Sequence, residues 1–104
     1  MTIKFFDDKI ERFISFLDES TAARTLRVID LLERFGNQLG PPHTKKVGAK
    51  LFELRISGKQ EIRIFYTFHD KEIVLLHGFV KKSSRIPKRE LENAKHRLAA
   101  LDSK

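Results

Sequence analysis

The sequence contains no cysteine, which excludes disulfide bonds, thiolate metal ligands and a cysteine nucleophile. It also has no run of about 18 apolar residues, the length that a helix needs to span a membrane. The first residues lack the charged start, apolar stretch and small-residue cleavage site of a signal peptide. We therefore expect a cytoplasmic protein that has no membrane partner.

Several patterns that carry chemistry in enzymes are missing as well. The chain has no glycine-rich phosphate loop, no Gly-x-Ser-x-Gly elbow and no carboxylate pair in an acid–base arrangement. Its four histidines are His43, His69, His77 and His96, and no two of them have the i, i+4 spacing of zinc proteases. The sequence therefore predicts no metal site and no cofactor.

Acidic residues are scarce in one part of the chain only. Residues 1–40 contain six Lys/Arg and seven Asp/Glu, a net charge of −1, whereas residues 41–104 contain fifteen and seven, a net charge of +8. Such asymmetry is typical of a nucleic-acid-binding face on a neutral scaffold, although an idle basic surface is the alternative. With 104 residues and nine phenylalanines, the chain is long enough for one domain with one core, which we expect to span residues 1–104.

Hydrophobic periodicity predicts the elements. Residues 2–6 resemble a short strand, and two amphipathic helices follow, the first with Asp8 near its start and the second capped by Ser20. Residues 37–49 are predicted to form a loop, after which strands alternate in period two. The strands cover residues 50–56, 61–69 and 73–80, and Pro87 opens a last helix. The expected order is β-α-α-β-β-β-α.

The predicted architecture is α+β. The last three strands form an antiparallel meander that the first strand joins, and the two N-terminal helices cover one face of the sheet. The expected helix stripes are Ile10, Phe13, Ile14 and Leu17, then Leu26, Ile29, Leu32 and Phe35, and finally Leu91, Ala94, Leu98 and Leu101.

Two arginines on adjacent strands are the candidate anion-binding residues. A short loop would place Arg55 across from Arg63, and their guanidinium groups would repel each other unless an anion lay between them. Arginine binds phosphate in a bidentate manner, so a phosphate is one possible occupant. A carboxylate, Glu53 or Glu61, is the other. With a two-residue turn, Arg63 would fall opposite Gly78, where a missing side chain leaves room for a ligand.

A basic segment follows the last strand without an intervening acid. Its cations are Lys81, Lys82, Arg85, Lys88 and Arg89. Adjacent strand residues point to opposite faces, and the alternation through Gly78 assigns Lys82 rather than Lys81 to the arginine face. This coupling to the arginines favours an RNA-directed surface over a merely solvated edge.

The aromatic and histidine residues of these strands have more ordinary interpretations. The spacing of His77 relative to Leu75 and Phe79 indicates a packed histidine. Tyr66, the one tyrosine, shares its alternation with Ile62 and Ile64 and is expected in the core.

These motifs resemble the phage-derived HigB-like branch of the RelE/ParE toxin superfamily. The resemblance lies in the Glu-Leu-Arg strand at 53–55, the Arg-containing strand at 62–66 and the Leu-His-Gly-Phe-Val-Lys-Lys stretch at 76–82. Pro87 and the Ala-Lys-His-Arg segment at 94–97 complete it. It implies a RelE-like fold and the toxin of a type II toxin–antitoxin system. Many members cleave mRNA in the A site of the 30S ribosomal subunit and are neutralised by a helix-turn-helix antitoxin from the same operon.

Carried over to this chain, the resemblance assigns roles to residues. The catalytic residues would be Arg55, Arg63 and Lys82, which bind the scissile phosphate while the RNA's own 2′-OH attacks it without a metal. The residues that contact RNA or the ribosome would be Lys45, Lys46, Lys81, Arg85, Lys88 and Arg89. The proton would pass to Lys82 in its neutral form, to His77 or Tyr66, or to the ribosomal RNA.

Two other functions use the same basic face. One is a ParE-like gyrase poison, which shares the fold but lacks the nuclease residues; Arg63 and the Lys81–Lys82 pair argue against it. The other is a non-catalytic module that binds nucleic acid or a protein partner.

Overall fold

The computed structural model describes residues 1–103, in which three α-helices pack on the two faces of one five-stranded sheet. The elements are β1 (Thr2–Phe5), α1 (Asp8–Ser15), α2 (Glu19–Phe35), β2 (Thr44–Gly48), β3 (Leu51–Ile56), β4 (Ile62–His69), β5 (Glu72–Val80) and α3 (Lys88–Asp102). The predicted α+β class is confirmed, and so are the three helices and the meander. Within residues 1–103, none of the helices has the length and apolarity that a bilayer crossing requires.

The sheet has one strand more than the sequence predicted. Its order is β1-β5-β4-β3-β2, and β1 lies parallel to β5, so the sheet is mixed rather than wholly antiparallel. The additional strand, β2, lies in the segment expected to be a loop and pairs with β3 at the edge. It was missed because an edge strand is partly exposed: Lys45 and Lys46 are solvated, and no apolar alternation marks it.

The two faces of the sheet are covered by different helices. Helices α1 and α2 pack on one face, where Ile10, Ile14 and Leu32 contact Leu54, Ile64 and other apolar residues of β3–β5. This placement of the N-terminal helices confirms the prediction. Helix α3 packs on the other face through Leu91, Ala94, Leu98 and Leu101, against a second cluster that includes Phe65 and Phe79.

Helix α2 buries a different stripe from the one predicted. Leu26 and Phe35 are exposed by 53% and 50%, while Thr21, Thr25, Val28, Ile29 and Leu32 are buried. An α-helix turns about 100° per residue, so Leu26 and Phe35, nine positions apart, lie on opposite sides. The strict three-residue spacing therefore could not remain on one face.

The helix caps lie one or two residues before the predicted ones. Asp7 precedes α1 and Asp18 precedes α2, where the sequence suggested Asp8 and Ser20.

A bulge in β5 changes the register of the β4–β5 hairpin. The two-residue Asp70-Lys71 turn is present, and both residues have positive φ. Beyond it, Tyr66 pairs with Leu75 but Phe65 pairs with His77, so Leu76 is the extra residue. Arg63 therefore lies opposite Phe79, and Gly78 lies opposite Ile64. The predicted Arg63–Gly78 pairing is wrong by one residue.

Candidate nucleic-acid interface

Arg55 and Arg63 lie directly opposite each other on β3 and β4, as the sequence predicted. Their neighbours Leu54, Ile56 and Ile64 are buried under α1 and α2. Because side chains alternate along a strand, both arginines lie on the other face, the one that α3 partly covers. Arg63 is buried, with 8% of its surface exposed.

A buried carboxylate lies between the two guanidinium groups. Glu53, only 2% exposed, accepts a hydrogen bond of 2.9 Å from Arg55 Nε to its Oε1. Its Oε2 lies 3.9 Å from Arg63 Nε. Of the two occupants that the sequence left open, the structure places this carboxylate next to both arginines. The carboxylate offsets their repulsion and orients Arg55 by its hydrogen bond, whereas its approach to Arg63 is a charge contact without a hydrogen bond.

The outer atoms of the two guanidinium groups differ in their partners. Arg63 donates from Nη1 to the carbonyl of Ile62 at 3.0 Å and from Nη2 to Glu61 Oε1 at 3.2 Å. Arg55, whose side chain is 35% exposed, bonds only through Nε within residues 1–103, so its Nη atoms face solvent. Arg55 is thus the member of the pair that can accept a ligand while keeping its bond to Glu53.

Glu61 is held in its ionised form beside Arg63. Burial by itself would raise the pKa of Glu61, but hydrogen bonds from Ser57 and Arg63 outweigh that effect. The net pKa lies below its ordinary value. The carboxylates of Glu53 and Glu61 therefore balance the two arginines, and positive charge for a polyanion comes from the lysines around them.

The bulge also decides which lysine continues the arginine face. Phe79 lies opposite Arg63, and the backbone N–H of Lys81 donates to the carbonyl of Glu61 at 2.7 Å, which extends the ladder beyond Val80. Alternation from Phe79 therefore assigns Lys81 to this face, whereas Lys82 belongs to the opposite side and is exposed. The assignment of Lys82 to the arginine face is corrected, since it assumed an unbroken register.

The other predicted cations divide between the two faces and the last helix. On β2, Lys45 pairs with Glu53 and shares the arginine face, while Lys46 pairs with Phe52 and shares the face of α1 and α2. Arg85 lies in the segment before α3, and Lys88 and Arg89 are exposed in its first turn.

His77 is engaged in a separate cluster. Its Nε2 lies 2.8 Å from Glu90 Oε1, and Arg97 Nη1 lies 3.4 Å from its Nδ1. Because arginine can only donate, this arrangement fits the neutral ring with its proton on Nε2. Arg97 also donates to the carbonyl of Leu76. Sequence reasoning missed Glu90, and it assigned Arg97, part of the 94–97 motif, to contact with ribosomal RNA rather than to this cluster. Their seven-residue spacing on one helical face was the available signal.

His77 and Tyr66, the two candidates for proton transfer, are both constrained by their surroundings. Phe79 stacks on His77, with ring centroids 6.1 Å apart, and occupies the position opposite Arg63. Tyr66 is buried in the core on the side of α1 and α2. Burial raises the pKa of its phenol to about 12. Tyr66 and Arg55 both line the cavity beside β2, but the raised pKa keeps the phenol protonated at neutral pH, so neither Tyr66 nor the engaged His77 is available as a base.

Two comparisons with known proteins bear on this site. The model of a family described as phage-derived Gp49-like proteins (DUF891) matches residues 12–99, which include every element from α2 to β5, half of α1 and most of α3. A comparison with curated proteins finds no significant match.

Proposed function

Because the chain belongs to the phage-derived Gp49-like family, a RelE-like family of toxin–antitoxin toxins, we propose that it inhibits translation as a toxin. The activity would be that of a HigB-like mRNA interferase, an endoribonuclease that cleaves mRNA in the ribosomal A site. Its neutralising partner would be a helix-turn-helix antitoxin from the same operon, and both would act in the cytoplasm.

The observation that carries this proposal is the Arg55–Arg63 pair around Glu53. The buried carboxylate orients Arg55 by a hydrogen bond, while Arg63 is held by Ile62 and Glu61. The Nη atoms of Arg55 remain available. A preoriented guanidinium suits a phosphate whose negative charge grows during reaction. Lys81 and Lys45, which share this face, add the charge that Glu53 and Glu61 offset.

The chemistry that fits these residues is transesterification within the RNA. The 2′-oxygen forms a bond to the adjacent phosphorus while the P–O5′ bond breaks, giving a 2′,3′-cyclic phosphate and a 5′-hydroxyl end. The 2′-OH proton must be accepted by a base, and O5′ must receive one. Burial keeps the phenol of Tyr66 protonated and His77 is engaged with Glu90 and Arg97, so we assign proton transfer to the ribosomal RNA. Dependence on the ribosome then follows from an incomplete set of groups on the chain.

Translation in a reconstituted system tests the proposal. We expect mRNA cleavage only while ribosomes translate, and a loss of about 10²–10³ in rate for Arg55→Ala, by analogy with removing one donor to a developing oxyanion. Arg55 is preferred to Arg63 for this test because its side chain is 35% exposed, against 9% for Arg63. Because its removal takes the hydrogen bond from the buried Glu53, the unfolding transition of the variant is measured in parallel. Arg55→Lys, which keeps the charge but loses the fork, should recover only part of the rate.

The same assay separates the alternatives. Cleavage of free RNA without ribosomes would contradict the assignment of the proton to ribosomal RNA. DNA cleavage complexes with gyrase, and intact mRNA, would identify a gyrase poison instead. Intact mRNA without gyrase complexes would identify a non-catalytic binding module.

A further inference from the structure

A cavity of about 650 Å³ lies on the side of the sheet that faces α1 and α2, beyond the end of α2. Its floor is aromatic and is formed by Phe52 of β3 with Tyr66 and Phe68 of β4. The segment after α2 and the edge strand β2 form the rest of its wall. The volume is in the range of small-molecule sites, and the proposed cleavage site does not use these aromatic residues.

The three rings form a platform rather than a loose cluster. Phe52 stacks on Tyr66 with centroids 5.5 Å apart and planes at 22°. Phe68 meets both rings edge-on, at 5.3 and 5.8 Å. Tyr66 is buried beneath, whereas Phe52 and Phe68 are only partly buried and present apolar surface to the cavity.

The polar lining of the cavity is rich in donors. Asn37 is exposed at its rim, and Thr44, Lys45 and Lys46 line it from β2. No acidic residue within the described chain, residues 1–103, lines the cavity. An aromatic floor beside lysines, with an amide that can both donate and accept, suits an anionic ligand with a flat heteroaromatic ring.

We propose that this cavity binds a nucleobase of the RNA, stacked on Phe52 and Phe68, with its neighbouring phosphate on Lys46. Asn37 is the group that would read the edge of the base. The β2 edge connects the two regions, because Lys45 and Arg55, which belong to the arginine face, also line the cavity beside Lys46. RNA that passes over this edge would place one phosphate at Arg55 and a flanking base in the cavity. The inference rests on the proposed function for the identity of the ligand as RNA.

Nucleotide binding by the full chain without ribosomes tests the inference. The probes are the four ribonucleoside 5′-monophosphates, and ribose 5-phosphate as the control that lacks a base. We expect the nucleotides to shift the aromatic NMR signals of Phe52, Phe68 and Tyr66 and the Asn37 side-chain amide signals. Ribose 5-phosphate should leave the ring signals unchanged.

Matched variants locate the site. Phe52→Leu keeps an apolar side chain but removes the ring, and should weaken nucleotide binding roughly 5- to 150-fold, the equivalent of one stacked base. Phe16→Leu, a change at a phenylalanine that is 86% exposed elsewhere, should leave the affinity unchanged. Equal affinities of the two variants, or equal binding of ribose 5-phosphate and nucleotides, would overturn the inference. Tighter binding of an acidic, phenylalanine-containing peptide than of any nucleotide would also overturn it, in favour of a protein-docking groove.

The outcomes distinguish this inference from the proposed function. Lys81→Ala, a change outside the cavity lining, should reduce mRNA cleavage but retain nucleotide binding, whereas Phe52→Leu should cleave with an altered base preference. Cleavage by the unmodified chain without nucleotide binding would contradict the cavity alone. Nucleotide binding without cleavage would support the cavity and contradict the nuclease.

Discussion

Among single residues, Glu53 has the largest role in setting the properties of the arginine face. It is almost fully buried and contacts both arginines, so it compensates charges that would otherwise repel each other across β3 and β4. A buried ion pair adds little net stability compared with apolar residues, but removal of one partner leaves uncompensated charge in a poorly solvated place. Glu53 therefore orients Arg55, and its loss is expected to lower the stability of the fold.

Substitution of Glu53 by Gln should destabilise the protein. We expect a loss of about 3 kcal/mol in the free energy of unfolding, near the low end for a broken buried pair because Arg55 is partly exposed. Urea denaturation followed by circular dichroism measures it. Glu61→Gln is the matched control, since that side chain is 41% exposed and should cost less than about 1 kcal/mol. Equal losses in the two variants would contradict the role of Glu53.

Tyr66 should make stability fall at alkaline pH. Its pKa is raised to about 12 by burial, whereas an unfolded tyrosine titrates near pH 10. The folded state therefore holds the proton more tightly, and the resulting stabilisation is complete below about pH 10 and is lost as the pH rises towards about 12. The difference in stability between the unmodified chain and Tyr66→Phe should shrink across this window. A constant difference between pH 9 and pH 12 would show that the phenol is not buried in this way.

At the scale of elements, the bulge in β5 determines which side chains reach each face. The extra residue Leu76 shifts the pairing of every residue after it, from His77 to Val80. One consequence is that Gly78 faces α1 rather than the arginines, and its missing side chain accommodates the ring of Phe13.

Lys81 and Lys82 should differ in their effect on cleavage. Lys81 continues the arginine face, so Lys81→Ala should reduce mRNA cleavage at saturating protein by roughly 10-fold or more, as for loss of a charge near a developing oxyanion. Lys82→Ala should reduce it much less. Single-turnover cleavage on translating ribosomes measures both. A larger effect of Lys82 would indicate that the alternation does not continue beyond the strand.

Gly78→Ala should loosen the packing between β5 and α1. The added Cβ would lie 2.9 Å from Phe13 Cδ2, closer than two carbon atoms can approach. Overpacking of this kind costs about 1–3 kcal/mol, which thermal or urea unfolding detects. Gly40→Ala is the control: no atom lies within 4 Å of its Cβ position, and stability should stay equal or rise by at most about 1 kcal/mol. Similar stabilities of the two variants would argue against the tight approach of Phe13.

At the scale of the whole molecule, the basic part of the chain is also the part that forms most of the sheet. The nearly neutral first 40 residues form the edge strand β1 and the helical layer, while the basic remainder forms the other four strands and α3. The positive charge is therefore available on the arginine face, at the β2 edge and around the first turn of α3. A long polyanion such as RNA can contact several of these regions at once.

The start of α3 should contribute to docking rather than to chemistry. Neutralising Lys88 and Arg89 together should weaken ribosome association and reduce its salt dependence, by a slope of roughly one for each phosphate that the protein no longer neutralises. Cleavage at saturating protein should be little changed, because both side chains are exposed on a helix outside the arginine pair. Co-sedimentation across a salt series, with cleavage measured in parallel, tests this. An equal loss of cleavage at saturation would place these residues in the reaction itself.

The sequence by itself determined the fold class, the helical layer and the opposition of Arg55 and Arg63. These features depend on local periodicity and short turns: the alternation of β3 and β4, the tight link between them and the stripes of α1 and α3 all follow from residues close together in the chain. The resemblance to RelE-like toxins rests on the same local motifs.

Only the tertiary structure decided the features that depend on pairing between distant segments. The β2 edge strand is defined by its pairing with β3, and the bulge at Leu76 lies in β5, which pairs with both β1 and β4. No local pattern in the sequence encodes either, yet the bulge transfers the arginine-face position from Lys82 to Lys81 and removes Gly78 from that face. The burial of Glu53 between the arginines, like that of Tyr66 on the α1 and α2 side, was also visible only in the structure. Alternation predicts the face on which a side chain lies but not how deeply it is buried.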